Sequence, residues 1–229
     1  MTRFYIISLD PAQLNDYSAL TVIEHADTTY RIEWLRRKRG LPYTDIVSWS
    51  KKVFLNPRYR KDTTYPTVFV LDIGGVGKAI QDMMTSADVP TTGIQYTGGA
   101  AVTREGGNYH VSKSFIVGKF LAAWDDGRVQ MPANASFLNM FQSELKAFRG
   151  EMSSQGRARF EAEQGEHDDL VMSVAQAVWW GEHASPKPIG PLVFGGAVKT
   201  SINSATGGGS NWVSQASDDM VRAHRQSSR

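Results

Sequence analysis

The 229-residue chain contains no cysteine. That excludes a disulfide scaffold, a thiolate metal site and a cysteine nucleophile. Net charge is almost absent: 25 Lys and Arg stand against 23 Asp and Glu, a formal sum of +2. Such a balance argues against a uniformly basic binder of polyanions. Long apolar runs are missing as well. The longest, Leu170 to Trp180, is interrupted by Ser173 and Gln176 and falls short of the about 20 residues that a membrane span needs. The opening Phe4-Tyr5-Ile6-Ile7 reaches Asp10 too soon for a signal-peptide core, so the expected compartment is the cytoplasm. Asn134-Ala135-Ser136 fits a glycosylation sequon, which reads as chance without a secretion signal. His25, His110, His167, His183 and His224 lack zinc-ligand spacing, and the chain has no internal repeat.

What is present suffices for a core: 41% of residues are hydrophobic and 21% charged, an ordinary globular composition. Strands are expected at 4–9, 19–25 and 30–36, a meander by linker length, since each connection is too short for a crossover. A helix is expected over 44–55, capped by Thr44 or Asp45, with Pro57 beyond its end. A second buried strand, Thr67 to Asp72, precedes a helix opened by Gly74-Gly75 and running to about Thr85. A strand at 94–96, a Gly-rich loop over 98–108, a helix over 113–125 and a strand at 128–131 follow. Helix 136–148 carries the stripe Phe137, Leu138, Phe141, Leu145 and Phe148. A strand is expected at 158–161, and a last helix from His167 with Val171, Val174 and Val178 on its core face. Three strands followed by alternating helices and strands point to a mixed α/β sheet.

From Ala184 the composition changes. Residues 184–229 contain six Gly, three Pro and eight Ser, with Gly207-Gly208-Gly209-Ser210 among them. This segment is expected to be a flexible tail, leaving a folded domain over 1–183.

Carboxylates stand at the ends of apolar elements. Asp10 and Asp72 each terminate a strand, and Asp168-Asp169 opens an apolar helix. Either placement also occurs as ordinary turn or helix-start chemistry. Together, however, three such elements can bring carboxylates to one place, where like charges repel unless a cation neutralises them. A hard, oxygen-only set suits Mg²⁺ or Mn²⁺, and two ions about 4 Å apart support phosphodiester cleavage. Asp16, in a loop six residues past Asp10, is a weaker fourth member.

The small net charge conceals segregation. Residues 31–61 carry a local +8 through Arg31, Arg36, Arg37, Lys38, Arg39, Lys51, Lys52, Arg58, Arg60 and Lys61 against Glu33 and Asp45. Residues 161–169 carry −5 through Glu161, Glu163, Glu166, Asp168 and Asp169. The bland reading is a basic hairpin and a solvated helix face. The functional one is a patch that holds DNA phosphates beside an acidic centre. Lys113, at a helix start after the Gly-rich loop, is a further candidate for phosphate. Asp72-Ile73-Gly74-Gly75-Val76-Gly77-Lys78-Ala79 departs from a phosphate-binding P-loop at its first and last positions. Its glycines are expected instead to let a helix begin close to the acidic centre. His167 neighbours the Asp pair, and Trp179-Trp180 is expected to pack in the core.

Leu9-Asp10 with Asp16-Tyr17-Ser18-Ala19, Val68-Phe69-Val70-Leu71-Asp72, and Glu166-His167-Asp168-Asp169-Leu170-Val171-Met172-Ser173 resemble the nuclease domain of tailed-bacteriophage large terminase subunits. The stretch from Lys113 to Pro132 fits as well, so the resemblance spans roughly residues 3–182. It implies a ribonuclease H-like fold, a mixed central sheet flanked by helices. It also implies a metal-dependent endonuclease that cuts concatemeric double-stranded viral DNA during packaging, in the cytoplasm of an infected bacterium. The resemblance makes Asp10, Asp72 and one of Asp168 and Asp169 the metal ligands, Asp169 being favoured as the second acid of the pair, with Asp16 auxiliary. Adjacent helical residues diverge by about 100°, so Asp168 and Asp169 are not expected to face one metal equally. The DNA contacts would be Arg36, Arg37, Lys38, Arg39, Lys51, Lys52, Arg58, Arg60 and Lys113. Implied partners are a packaging ATPase domain, a portal protein and a small terminase subunit, with the tail as a docking segment. The ATPase P-loop of a whole large terminase is not in this sequence, so an isolated nuclease half or a split-gene product is expected. Competing readings are a Holliday-junction-type resolvase and a non-catalytic DNA-binding packaging adaptor.

Overall fold

Alternation along the first strand lays out two cores. In the computed structural model, which describes residues 3–13, 15–60, 65–98, 101–133, 135–154 and 168–184, β1 spans Arg3–Asp10. Its Phe4 and Ile6 face one core, and Tyr5, Ile7 and Leu9 the other. β1 pairs antiparallel with β2 (Tyr17–Ala26), which pairs antiparallel with β3 (Thr29–Arg39). On its other side β1 lies parallel to β4 (Val68–Asp72), and β4 parallel to β5 (Thr92–Thr97). A hairpin of β6 (Thr103–Glu105) and β7 (Asn108–Ser112) joins beyond β5, and β8 (Val129–Gln130) lies beyond β3. The order among the described residues is β6-β7-β5-β4-β1-β2-β3-β8.

Helices cover both faces, which is why the central strands are apolar on both sides. α1 (Tyr43–Phe54) and α2 (Gly77–Ser86) bury Ile46, Val47, Ile80 and Met84 against one face. α3 (Lys113–Asp125), α4 (Leu138–Ser154) and α5 (Asp169–Ala184) cover the other. α5 touches β1, β2, β3, β4, α3 and α4, and every residue from Leu170 to Gly181 is buried. The expected face Val171, Val174 and Val178 is thus part of a helix buried all round. Each such side chain contributes about 1.5–3 kcal/mol on full burial. Trp179 and Trp180 lie in this core.

Several elements differ from expectation. α1 starts after Pro42 with no side-chain cap; Pro's fixed backbone sets the turn, and Asp45 lies in the first turn. The 98–108 loop contains β6 and the start of β7, turned through Gly106 and Gly107, whose φ values of 54° and 86° suit glycine. The strand near 128–131 shortens to Val129–Gln130, and α4 continues past 148 to Ser154. α2 begins at Gly77, after a turn that contains Gly74 and Gly75. The strand expected at 158–161, His167, Lys61, Asn134 and the tail 184–229 beyond Ala184 lie outside the described residues. No described helix is long and apolar enough to cross a membrane.

Candidate metal centre

Two strand ends and one helix start meet at one end of the sheet. β1 and β4 are parallel, with Leu9 beside Leu71, so Asp10 and Asp72 follow that pair as neighbours. Alternation then places both on the face of Phe4, Ile6 and Val70, which α5 covers. α5 begins at this end with Asp169, and Asp168 immediately precedes it. All four line a cleft of about 580 Å³, with Asp16 also in its wall.

The glycines pack against this corner. Gly74 N–H donates to Asp72 Oδ1 at 2.7 Å, which orients the carboxylate. A Cβ on Gly77 would lie 1.9 Å from the Asp72 carbonyl oxygen, so only glycine lets α2 start this close to the strand end. Asp16 Oδ1 accepts the Tyr17 N–H at 2.9 Å.

The electrostatics are those of crowded negative charge. Burial, then repulsion from Asp72, Asp169 and Asp168, holds Asp10 well above the usual carboxylate range. Burial also raises Asp72, against the pull of Gly74 N–H and Lys113. Asp169 is pushed up to about 7 by burial and then by Asp16 and Asp168, with Arg37 opposing. Among the described residues no three His, Asp or Glu side chains form a ready-made set that could hold an ion. The donor chemistry nevertheless fits a divalent cation: hard carboxylate oxygens, strained by mutual repulsion, that a positive charge would relieve.

Asp168 and Asp169 both line the cleft, Asp168 as the residue just before α5, its carbonyl accepting the Met172 N–H at 2.8 Å. They differ in their cationic neighbours. Lys113 Nζ donates to Asp168 Oδ2 at 2.8 Å. Arg37 Nη1 lies 3.8 Å from Asp169 Oδ2 and 3.1 Å from Glu144 Oε2.

The basic segment does not form one surface. Arg36, Lys38 and Arg39 end β3, which pairs with the start of β2, the strand that separates it from Asp10. All three are exposed. Lys38 lies over the Trp49 ring at 4.8 Å, and Arg39 donates to the Asn15 carbonyl. Lys51 instead donates to the carbonyl of Ala87, just beyond the far end of α2. Arg58 and Arg31 both pair with Glu33, and Arg60 lies over Phe54. Exposed Lys52 sits beside Lys51 in the last turn of α1. Lys113 lines the cleft, and Arg37 stands behind Asp169 and Glu144; both face carboxylates rather than an outer basic face.

Two contributors escape sequence reasoning. Tyr96 lines the cleft on the same face as Ile94, and burial first, then Asp72 and Asp10, raises its phenol pKa far above the ordinary value. Glu144 is buried in α4, where Oε1 accepts the Val171 N–H at 2.9 Å. Burial pushes its carboxyl up to about 8 against the pull of the Val171 amide and Arg37. A signal for it exists in the sequence: it interrupts the apolar stripe between Phe141 and Phe148.

No protein-family model and no curated protein matches the sequence. Solved structures do. The large terminase nuclease from thermophilic phage G20c with bound magnesium superposes with a TM-score of 0.56 at 24% identity, covering 77% of this chain and 81% of that one. The same nuclease has been solved with bound cobalt and with bound zinc. The Thermus phage P74-26 large terminase nuclease domain gives 0.53 at 22% identity, over 78% and 80%. The human cytomegalovirus terminase nuclease domain, manganese-soaked and inhibitor-bound, gives 0.51 at 12% identity, over 80% and 85%. The chain has the ribonuclease H-like α/β fold of viral large terminase nuclease domains.

Proposed function

We propose that this chain is a divalent-metal-dependent endodeoxyribonuclease that cuts concatemeric double-stranded viral DNA during genome packaging. The observation that carries the reading is the meeting of Asp10, Asp72, Asp168 and Asp169, from three separate elements, in one cleft. Solved neighbours of the same fold with magnesium, cobalt, zinc or manganese support it.

Asp10, Asp72 and Asp169 offer the oxygen donors, with Asp168 and Asp16 at the margin. A pair of Mg²⁺ or Mn²⁺ ions bound there would supply an activated water and stabilise charge on the leaving oxygen. Gly74 N–H holds the Asp72 carboxylate in orientation. Lys113 holds Asp168 and eases the repulsion on Asp10 and Asp72. Arg39, tied to the cleft residue Asn15, and Arg36 and Lys38 on the opposite face of the same strand end receive backbone phosphates, and binding then weakens steeply with salt. Action on DNA in packaging implies the cytoplasm of an infected bacterium, alongside a packaging ATPase, portal and small terminase subunit.

Plasmid cleavage tests this. Supercoiled DNA is nicked and linearised in Mn²⁺ or Mg²⁺, and the activity disappears in EDTA and in Asp10→Asn. Wild-type protein that leaves plasmid intact under both metals, or an Asp10→Asn variant that cuts normally, contradicts the reading. A strong preference for four-way junctions over linear duplex would point to a resolvase instead.

A further inference from the structure

Arg37 belongs by sequence to the run Arg36–Arg39, yet its surroundings are internal. Its guanidinium lies 3.1 Å from Glu144 Oε2 and 3.8 Å from Asp169 Oδ2, and 4.5 Å from the centre of the Tyr17 ring. The Arg37 side chain is 19% exposed, against 50% and 64% for Arg31 and Arg58. Glu144 in turn accepts the Val171 N–H, one of the amides left unpaired in the first turn of α5. One carboxylate thus caps the helix that carries Asp169 and grips the guanidinium beside Asp169.

A backbone irregularity aims the arginine. Ile23 pairs with Ile32 but Val22 with Trp34, so Glu33 is an extra residue in β3. Before this bulge Tyr30 and Ile32 face the α5 side; after it Leu35 does. The shift turns Arg37 toward α4 and α5 and sends Arg36 and Lys38 to the opposite face. Without the bulge, Arg36 would hold the inward position.

We infer that Arg37, locked by Glu144, is a positioning residue that holds the Asp169 carboxylate in the cleft and does not contact DNA. This rests on the nuclease reading above and deepens it, because Asp169 is one of its proposed ligands. A guanidinium suits this role, since its planar fork reaches two carboxylates while stacking on an aromatic ring, which an ammonium does not do. For a phosphate contact, by contrast, Lys supplies the same charge.

Arg37→Lys therefore separates the alternatives while preserving charge. In calorimetry without DNA, Mn²⁺ binding by full-length Arg37→Lys is expected to weaken about tenfold, the size of effect typical when a ligand loses its outer support. DNA affinity in EDTA is expected to stay at the wild-type value. Arg36→Ala shows the converse, weaker DNA binding with Mn²⁺ affinity retained. Glu144→Ala, which removes the group that accepts from both Arg37 and the Val171 amide, follows Arg37→Lys. Unchanged Mn²⁺ affinity in Arg37→Lys, or a loss of DNA affinity matching Arg36→Ala, overturns the inference. Amide exchange distinguishes this from failure of the nuclease reading. If wild type binds no Mn²⁺, that reading falls, and the clamp is judged by the Val171 amide. Protection there drops in Arg37→Ala if Arg37 locks Glu144, and undiminished protection rejects the clamp.

Discussion

Each carboxylate in the cleft is held by neighbours that differ in kind. Asp72 is oriented by a backbone amide, Asp168 by Lys113, and Asp169 faces Arg37. Asp10 depends on burial and on its acidic neighbours. Removing one charge relieves the others. Asp10→Asn is accordingly expected to abolish cleavage and yet stabilise the metal-free protein at pH 8 by about 0.5–2 kcal/mol, the size of a typical gain where function has kept a strained site. Urea unfolding in EDTA checks it, and a destabilised variant would refute the repulsion account. Gly77 is constrained from the other direction. The Cβ of Gly77→Ala would meet the Asp72 carbonyl, and overpacking of this kind costs about 1–3 kcal/mol. Lower stability with reduced cleavage is expected; wild-type values for both would mean that α2 moves away freely.

Among the elements, α5 and α3 deliver their residues through their first turns. Asp169 stands at the start of α5, and Lys113 at the start of α3. Ser112 caps α3, its hydroxyl accepting the Phe115 N–H at 3.2 Å. Ser112→Ala is predicted to cost about 1 kcal/mol and to loosen Lys113 from Asp168. Thermal unfolding measures the first effect. The second should appear as a rise in the metal concentration needed for half-maximal cleavage. The element pattern is largely readable in the sequence: β-branched and aromatic runs mark the central strands, and Asp after each of two runs marks the corner. The β6–β7 hairpin is not readable, because Thr103–Glu105 is exposed throughout and short and carries no alternation. Nor is the bulge at Glu33, since nothing in the Arg31–Arg39 run states which residue the neighbouring strand skips.

For the whole molecule, crowded carboxylates tie stability to pH and to metal. The raised values of Asp10, Asp72, Asp169 and Glu144 mean that the folded state keeps protons the unfolded chain releases. Stability is then fullest below the unfolded carboxylate range, near 4, and declines as pH rises through the folded values of about 7 and 8. In EDTA the melting temperature is therefore expected to be higher at pH 5 than at pH 8. Millimolar Mn²⁺ should restore it at pH 8 and do little at pH 5, because protons compete for the same oxygens. Scanning calorimetry across this grid is the measurement. A flat pH response in EDTA would contradict the crowding.

The separation of charge along the chain, +8 over 31–61 and −5 over 161–169, is visible without coordinates, but its meaning depends on folding. Sequence alone determined the strand-ending positions of Asp10 and Asp72, the apolar helix behind Asp168-Asp169, and the absence of any thiol ligand. Those follow from local chemistry, because burial and hydrogen bonding choose the residue types of each element. Only the tertiary structure decided which charges meet. Parallel pairing of β1 with β4 set two Asp side by side, and packing of α5 brought the Asp168-Asp169 pair to them. The bulge in β3 turned Arg37 inward, while Lys51, Arg58 and Arg60 found partners elsewhere. Register and helix packing are non-local, so no stretch of sequence states them.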